Sequence, residues 1–291
     1  MTAVTIGKFE SIHKGHQYLI AETVKHAVKN NLSSVVVTFD PHPRRVLNDP
    51  GYCPLFTYKE REYILLKQNI DKINVFSFSK EFALQTAEQF CCALFDTLQA
   101  KCIVLGENYR FGYNRMGTAE MLKEFAARRG AEVLLIQHIY KEDKKISTSD
   151  IRDYLVKGCL PEVKSLLGFS FFVMGNVVHG KQLGAAIGFP TANIIPPEDK
   201  LLPPDGVYAT YVHIEQGLKR YKGVTNIGLR PSVNDGLHRT IETFILDFNE
   251  NLYDKTLNIE FISFLRPEQK FKCIGALQTQ IAKDAEMARL C

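Results

Sequence analysis

Short apolar runs alternate with amphipathic stretches along the first 168 residues. The apolar runs predict buried strands, which are 4–6, 34–39, 73–78, 102–105 and 132–136. Apolar positions at helical spacing predict the helices between them, which are 15–29, 57–69, 86–99 and 118–129. This alternation is typical of a parallel sheet covered by helices on both faces, whose ligands bind at the carboxyl ends of the strands.

The pattern changes after Gly168, which follows the end of a further predicted helix. Strand-like segments come close together and are separated by Gly, Pro, Asn and Asp; they are 171–179, 206–214, 220–226, 240–248 and 257–264. A long helical pattern returns only at 274–290. The sequence therefore predicts two domains, 1–168 and 169–291, the second an antiparallel barrel or sandwich with a terminal helix.

Composition narrows the class of protein. The 291 residues are 45% hydrophobic and 23% charged, which excludes a disordered chain. No apolar run reaches the roughly 18–20 residues of a membrane-spanning helix, and the N-terminus has no signal-peptide pattern, so we expect a cytoplasmic protein without a membrane partner.

A net charge of +4 is too small for a nucleic-acid interface but compatible with nucleotide substrates. The seven cysteines contain no C-x-x-C and match no zinc spacing, so we expect free, mostly buried thiols.

Two histidines at the predicted start of the first helix are candidates for phosphate chemistry. His13 and His16 flank Gly15 directly after the first predicted strand. A helix N-terminus attracts anions, and imidazole donors beside it can stabilise charge that develops during nucleotidyl transfer. The alternative is that both are surface histidines at the start of a helix.

A second candidate precedes the predicted helix after residue 147. Ser147, Thr148 and Ser149 supply consecutive hydroxyls, and Arg152 follows one turn later on the same helical face. Hydroxyls and a guanidinium suit a phosphate, because arginine donates two parallel hydrogen bonds. The alternative is an ordinary helix N-cap.

H-x-G-H followed late by S-T-x-x-I-R resembles the nucleotidylyltransferase superfamily. The segments Thr38–Pro43 (TFDPHP) and Gly106–Gly112 (GENYRFG) resemble the bifunctional riboflavin kinase/FMN adenylyltransferases more closely. That resemblance implies a Rossmann-like nucleotidylyltransferase domain with a parallel sheet. It places His42, Asn108 and Arg110 at the flavin. It also implies ATP contacts from Gly7, Phe9, His13, His16, Ser149 and Arg152. The residues alone leave His42 equally open to interpretation as a turn histidine between two prolines.

The C-terminal half resembles the riboflavin kinase part of the same family. Val178–Lys181 and Gly184 are similar to its nucleotide loop, which implies ATP contacts from His179, Gly180, Lys181 and Gly184. Gly188–Asn193 (GFPTAN) is the family's most specific segment; on an extended chain Thr191 and Asn193 point to one side, where their oxygens suit Mg²⁺. The resemblance further implies a barrel with a C-terminal helix, flavin contacts from Asn226 and Arg230, and Glu242 as the catalytic base. From the pattern alone, Glu242 would be a solvent-facing strand residue.

The sequence departs from this family at two main places, and Asp150 is a milder departure. Glu10-Ser11 stands where the family usually has D-G, and Ala185-Ala186 stands where it usually has a basic residue. We predict an enzyme that phosphorylates riboflavin to FMN and then adenylylates FMN to FAD, with ATP as co-substrate and Mg²⁺ as cofactor. The partners are then riboflavin, FMN and ATP, without nucleic acid or membrane, on a monomer or weak homo-oligomer. Three alternatives stay open: only one active domain, a non-catalytic flavin- or RNA-binding regulator, or a nucleotidylyltransferase for another substrate.

Overall fold

The computed structural model describes residues 1–291 except 48, 50, 138–139, 142–143, 180–183, 185–186, 216 and 232–236. It describes only the backbone of 140–141, 144–145, 230–231 and 237–238. The chain divides into two compact units, Met1–Thr148 and Ser149–Cys291, here called the first and second unit. The domain boundary at residue 168 stays a prediction.

The first unit is built on a five-stranded parallel sheet with the order β3-β2-β1-β4-β5. Its strands are β1 (Thr2–Ile6), β2 (Ser33–Asp40), β3 (Lys72–Ser77), β4 (Ala100–Gly106) and β5 (Glu132–Ile136), and a small ribbon follows of β6 (Tyr140–Lys141) and β7 (Lys144–Lys145). Its helices are α1 (Lys14–Lys29), α2 (Pro43–Leu47), α3 (Tyr58–Leu66), α4 (Lys80–Ala83), α5 (Ala87–Cys92, continued by a π-helical turn over Ala93–Thr97) and α6 (Ala119–Ala127).

Both faces of this sheet are buried, as the uninterrupted apolar runs predict. Ala3 and Cys102 lie on one face in a cluster with Ala27 of α1. Val4 and Ile103 lie on the other face, against aromatic and aliphatic side chains from α5 and α6. The alternation of strands and helices, predicted from the hydrophobic pattern, is therefore confirmed.

The second unit is an antiparallel sheet of six strands with the order β8-β13-β10-β11-β12-β9. Its elements are α7 (Thr148–Val156, which begins in the last residue of the first unit), α8 (Leu160–Leu167), β8 (Phe172–Asn176), β9 (Thr191–Ile194), β10 (Gly206–Ile214), β11 (Arg220–Pro231), β12 (Leu237–Ile245), β13 (Thr256–Arg266) and α9 (Ile274–Leu290).

The two edge strands of this sheet curl towards each other. Val178, just after β8, forms a bridge with Asn193 of β9, and any side chain at Gly175 would collide with Ile194. Helix α9 packs on β10 and β11, where Ala285 joins their apolar cluster. The predicted barrel with a terminal helix is thus confirmed.

The expectation for the cysteines is only partly right. All seven are free, but only Cys91 and Cys102 are buried. Cys273 and Cys291, which flank helix α9, are exposed. Among the residues that the structure describes, no helix is long and apolar enough to cross a membrane.

Candidate active sites

The first unit holds a cavity of about 1340 Å³ beside the carboxyl ends of its parallel strands. Sites for one small ligand usually measure roughly 300–1,000 Å³, so this cavity has room for two. Seven residues predicted from the sequence line it: Gly7, Phe9, His13, His16, His42, Asn108 and Arg110.

His13 and His16 form a stacked pair at the start of α1. Their ring centroids are 3.8 Å apart with an interplanar angle of 11°. His13 is the N-cap residue, and its Nδ1 accepts a hydrogen bond of 3.3 Å from the backbone N–H of His16. Because an accepting Nδ1 carries no proton, the neutral ring of His13 is protonated at Nε2 and can donate from there. The pair therefore adds imidazole donors to the positive end of the helix.

The loop between β1 and α1 is held in an unusual backbone conformation. Phe9 (φ +44°) and Ile12 (φ +47°) are fully buried although bulky residues rarely adopt a positive φ. Such strain persists only where the surroundings fix it, and it concentrates at functional sites. Ser11 stands where the resembled family usually has glycine, but its φ is not positive. The hydroxyls of Ser11 and Thr148 form a hydrogen bond of 2.8 Å.

Glu10, the other departure in this loop, lies next to His42. Its Oε2 is 3.8 Å from Nε2 of His42, and both side chains are mostly buried. The ring of His42 stacks on Tyr52 with centroids 4.6 Å apart, and its Nδ1 accepts the backbone N–H of Arg44 at 3.2 Å. His42 is therefore fixed at the cavity wall by contacts on three sides.

Arg61 is a structural residue of this site that the sequence analysis missed. Its buried guanidinium donates to the backbone oxygens of Lys8 and Phe39 and to the Asp40 carboxylate, which ties the loop after β1 to the end of β2. Burial lowers the pKa of Arg61. Its one signal in the sequence is its helical spacing with the buried Ile64 and Leu65 on α3.

The cavity wall next to the loop between β1 and α1 is positively charged. Burial, the charge of Arg115 and the charge of Arg44 lower the pKa of Lys8, while Glu10 opposes that shift. All four residues line the cavity. A site crowded with cations in this way attracts a polyanion.

The loop after β4 forms another part of the cavity wall, which includes two aromatic residues. Asn108 and Arg110 line the cavity there, and the rings of Tyr109 and Phe111 stack with centroids 5.9 Å apart. The loop turns at Gly112 (φ +71°), where a Cβ would lie 2.7 Å from the backbone nitrogen of Ala87. Only glycine fits this turn without displacing helix α5.

Ser149 and Arg152 lie in α7 within the second unit. The residue before them, Thr148, lines the cavity of the first unit. A contribution of Ser149 and Arg152 to the phosphate site stays a prediction.

The second unit holds a smaller cavity of about 330 Å³, with a row of polar residues across three strands. Glu242 of β12 pairs in register with Asn226 of β11 on one side and with Asn193 of β9 on the other. Residues in register on neighbouring strands point to the same face, and all three line the cavity. The carboxylate of Glu242 therefore faces the cavity between two amides instead of bulk solvent.

Thr191 lies two residues from Asn193 on the same strand and also lines the cavity. The amide nitrogen of Asn193 donates to the backbone oxygen of Thr191 at 3.3 Å, so the amide oxygen is the atom that Asn193 can offer to a cation. The backbone of Gly184 lies close to Phe189 and Thr191. A Cβ at position 184 would lie 3.4 Å from the Thr191 hydroxyl and would collide with the Phe189 carbonyl.

Glu268 joins this site although the sequence analysis assigned it no role. Its Oε1 accepts a 2.8 Å hydrogen bond from the side-chain amide of Asn226. Gly228 allows that approach, because a side chain at this position would overlap the Glu268 carboxylate. Beside it, Arg266 donates three hydrogen bonds of 2.7–3.1 Å to the buried carboxylate of Asp284 on α9.

Several residues of the second unit that the sequence predicts to contact ATP or the flavin lie away from this cavity or outside the residues that the structure describes. His179 stacks on Tyr253 with ring centroids 3.8 Å apart and is not among the residues that line this cavity. Gly180 and Lys181, like Ala185-Ala186, fall outside the described residues, and for Arg230 only the backbone is described. Their predicted roles remain untested.

Similarity to known proteins extends over nearly the whole chain. A family model described as FAD synthetase matches residues 1–150, and one described as riboflavin kinase matches residues 167–291. The bifunctional riboflavin kinase/FMN adenylyltransferase of Haemophilus influenzae is 34% identical over 99% of this chain and 93% of its own length. The protein of the same description from Escherichia coli K12 is 33% identical over 98% and 91%. A solved structure described as a macrolide-efflux protein from Streptococcus pneumoniae superposes with a TM-score of 0.85 at 33% identity, covering 99% of this chain and 94% of that one.

Proposed function

The chain belongs to the bifunctional riboflavin kinase/FMN adenylyltransferase family, and we propose that its two units catalyse successive steps of flavin nucleotide synthesis. In the second unit, riboflavin and ATP give FMN and ADP. In the first unit, FMN and a second ATP give FAD and pyrophosphate. The observation that carries the proposal is that each unit has a cavity of its own, lined by groups suited to phosphate chemistry.

Glu242 acts as the general base of the kinase step. Its carboxylate accepts the proton of the ribityl 5′-hydroxyl while that oxygen attacks the γ-phosphorus of ATP, and the bond to the leaving ADP oxygen breaks. The in-register amides of Asn193 and Asn226 support this role, because they flank the carboxylate inside the cavity. Asn226, itself oriented by Glu268, and Arg230 then contact the flavin.

Thr191 and Asn193 provide a donor set that fits Mg²⁺, since a hydroxyl and an amide oxygen are the hard ligands this ion prefers. Held by these two side chains, the ion would neutralise phosphate charge. Gly184 keeps the chain close to the Thr191 hydroxyl, and we assign nucleotide contacts to it together with His179, Gly180 and Lys181.

His13 and His16 stabilise phosphate charge in the adenylyl transfer. An oxygen of the FMN phosphate attacks the α-phosphorus of ATP and pyrophosphate leaves, so no covalent enzyme intermediate is needed. Imidazole donors at the positive end of α1 are aimed at oxygens whose charge grows in the transition state. Ser149 and Arg152 add phosphate contacts, while Gly7 and Phe9 shape the loop against which ATP lies.

The aromatic wall of the first cavity suits the flavin ring. Tyr109 and Phe111 offer a stacked aromatic surface, and Asn108, Arg110 and His42 supply polar contacts at its edge. Burial raises the pKa of the Tyr109 phenol still further above neutral pH, so this hydroxyl is uncharged there. The volume of the cavity accommodates flavin and adenine nucleotides together.

Chromatography of flavins separates the two activities. Purified protein is incubated with ATP and Mg²⁺ and is fed either riboflavin or FMN. We expect FAD from both feeds for the natural sequence. Glu242→Gln should slow the formation of product from riboflavin about 10²–10⁴-fold, while FMN still gives FAD. Glu260→Gln is the matched control, because Glu260 lies on β13 in an ion pair with His213.

The other outcomes separate the alternatives. FAD from FMN but nothing from riboflavin in the natural sequence would mean that only the first unit is active, and Ala185-Ala186 would then be the first segment to replace. Product from neither feed would contradict the proposal and favour a non-catalytic flavin-binding regulator.

A further inference from the structure

Three potential metal ligands meet at the end of the parallel sheet opposite the cavity. His26 lies in the last turn of α1, Cys102 near the start of β4 and Glu132 at the start of β5. One imidazole nitrogen, the Cys102 sulfur and one Glu132 oxygen all lie within 4.8 Å of one another. Within the described part of the chain, this is the one group of three or more such side chains.

The fold itself brings these side chains together. Cys102 and Glu132 are in-register neighbours on parallel strands, so both point to the face of the sheet that α1 covers. His26 precedes Ala27, which packs in the same cluster as Cys102. Three elements, far apart in sequence, therefore fix the three donor atoms independently.

Glu132 departs from the apolar pattern of its own face. The next residues on that side of β5 are Leu134 and Ile136, which pack against the Cys102 cluster. The carboxylate instead reaches towards the imidazole, with Oε1 2.8 Å from Nε2 of His26. Since β5 is an edge strand and the Glu132 side chain is 54% exposed, an ion can enter from solvent.

We propose that His26, Cys102 and Glu132 bind a divalent transition-metal ion of the zinc class. One nitrogen, one sulfur and one carboxylate oxygen are ligand types that Zn²⁺ accepts together, with water as a fourth ligand. Tetrahedral geometry requires ligand atoms about 3.3–3.8 Å apart, so only small side-chain shifts are needed. The amide of Asn30, 3.0 Å from Nε2 of His26, turns away when the ion takes its place.

Binding exchanges a proton for the ion. The Cys102 thiol loses its proton to solvent and its sulfur forms the bond to the metal, so two anionic ligands balance the charge of the dication. The ion then links α1, β4 and β5 at the amino ends of the strands. Its role is structural, because the catalytic cavity lies at the opposite ends of the same strands.

Cobalt provides a direct probe, because a thiolate bound to Co²⁺ has a near-ultraviolet charge-transfer band. Metal-free full-length protein, with exposed Cys273 and Cys291 replaced by serine, is titrated with Co²⁺ in the presence of Mg²⁺. We expect the band to saturate at one ion per chain and to disappear when Zn²⁺ is added. His26→Gln and Glu132→Gln should each weaken Co²⁺ binding at least about tenfold.

Glu22→Gln is the matched control, since Glu22 is a carboxylate on α1 whose ion-pair partner is Lys25. It should bind Co²⁺ as tightly as the parent protein does. Conversion of FMN to FAD by each variant verifies that the variant folds. Zn²⁺ should also raise the unfolding temperature of the parent and the control but not of the two test variants. No thiolate band, or equal Co²⁺ affinity in all variants, would overturn the proposal.

Discussion

The two units place their functional groups in different ways. In the first unit they lie on loops after parallel strands and in the first turn of α1. In those loops Phe9 and Ile12 carry a positive φ, and Gly112 makes a turn that no side chain fits. In the second unit they lie on the strands themselves, and the register alone aligns Asn226 and Glu242. A loop site depends on unusual backbone conformations, whereas a strand site depends on the correct assembly of the barrel.

This difference predicts different kinds of sensitivity. Substitutions that disturb a loop conformation should impair the first site while the rest of the sheet stays intact. The second site should instead respond to changes that loosen the barrel or its terminal helix. Substitutions in each unit can therefore test the comparison separately.

The largest effect is expected from Asp284→Asn in the second unit. Asp284 is 1% exposed, and its carboxylate accepts three hydrogen bonds from the guanidinium of Arg266. The substitution leaves a largely buried guanidinium without a counter-charge, which costs about 3–5 kcal/mol. Calorimetry of the full-length chain should show the second unit unfolding at a temperature lower by roughly 10–20 °C.

The control for this prediction is Asp247→Asn. Asp247 likewise pairs with an arginine, here Arg289 of α9, but the Asp247 carboxylate is exposed and solvent screens the pair. We expect little change in unfolding temperature for this variant. Equal shifts for the two substitutions would show that burial of the Arg266 pair does not stabilise the barrel.

A smaller effect is expected from Gly112→Ala in the first unit. The backbone there (φ +71°, ψ 176°) is accessible essentially only to glycine, and a Cβ would meet the backbone of Ala87. Strain of this kind costs about 1–3 kcal/mol, and its relief should displace Asn108 and Arg110. The KM for FMN in adenylyl transfer should rise, while riboflavin phosphorylation continues at the rate of the natural sequence.

Gly130→Ala is the matched control, since Gly130 also has a positive φ (+59°) but faces open space. It should leave the KM for FMN unchanged. An equal rise in both variants would mean that the close contact with Ala87 has no part in shaping the site.

The smallest effect is expected from Glu268→Gln in the second unit. The amide can still accept the hydrogen bond from Asn226, but the bond is no longer charge-assisted and loses about 1 kcal/mol. The KM for riboflavin should rise a few-fold with kcat nearly unchanged. A large fall in kcat with an unchanged KM would instead place Glu268 in the chemical step.

The sequence predicted the sheet, the barrel and several site residues for physical reasons. Buried parallel strands are continuous apolar runs, and His13 follows such a run at a helix start, where the structure makes it the N-cap. Strand β9 (Thr191–Ile194) has too few residues to show a period of its own. Only the family segment around it marked Thr191 and Asn193.

The sequence could not predict contacts between distant parts of the chain. Arg61 reaches Lys8 across 53 positions, and Glu268 reaches Asn226 across 42. No local pattern records which strand or loop a long side chain will meet. The same holds for His26 and Cys102, because metal motifs are recognised by short spacings and these two ligands lie on separate elements.

The separation of the two sites is tested most directly by initial rates for two variants with two feeds. His16→Asn removes a donor to the phosphates and should slow conversion of FMN to FAD about 10²–10³-fold, with riboflavin phosphorylation unchanged. Glu242→Gln should show the opposite pattern, with riboflavin phosphorylation slowed about 10²–10⁴-fold and FMN converted at the rate of the natural sequence. If either substitution abolished both reactions, the account of two separate sites would be wrong.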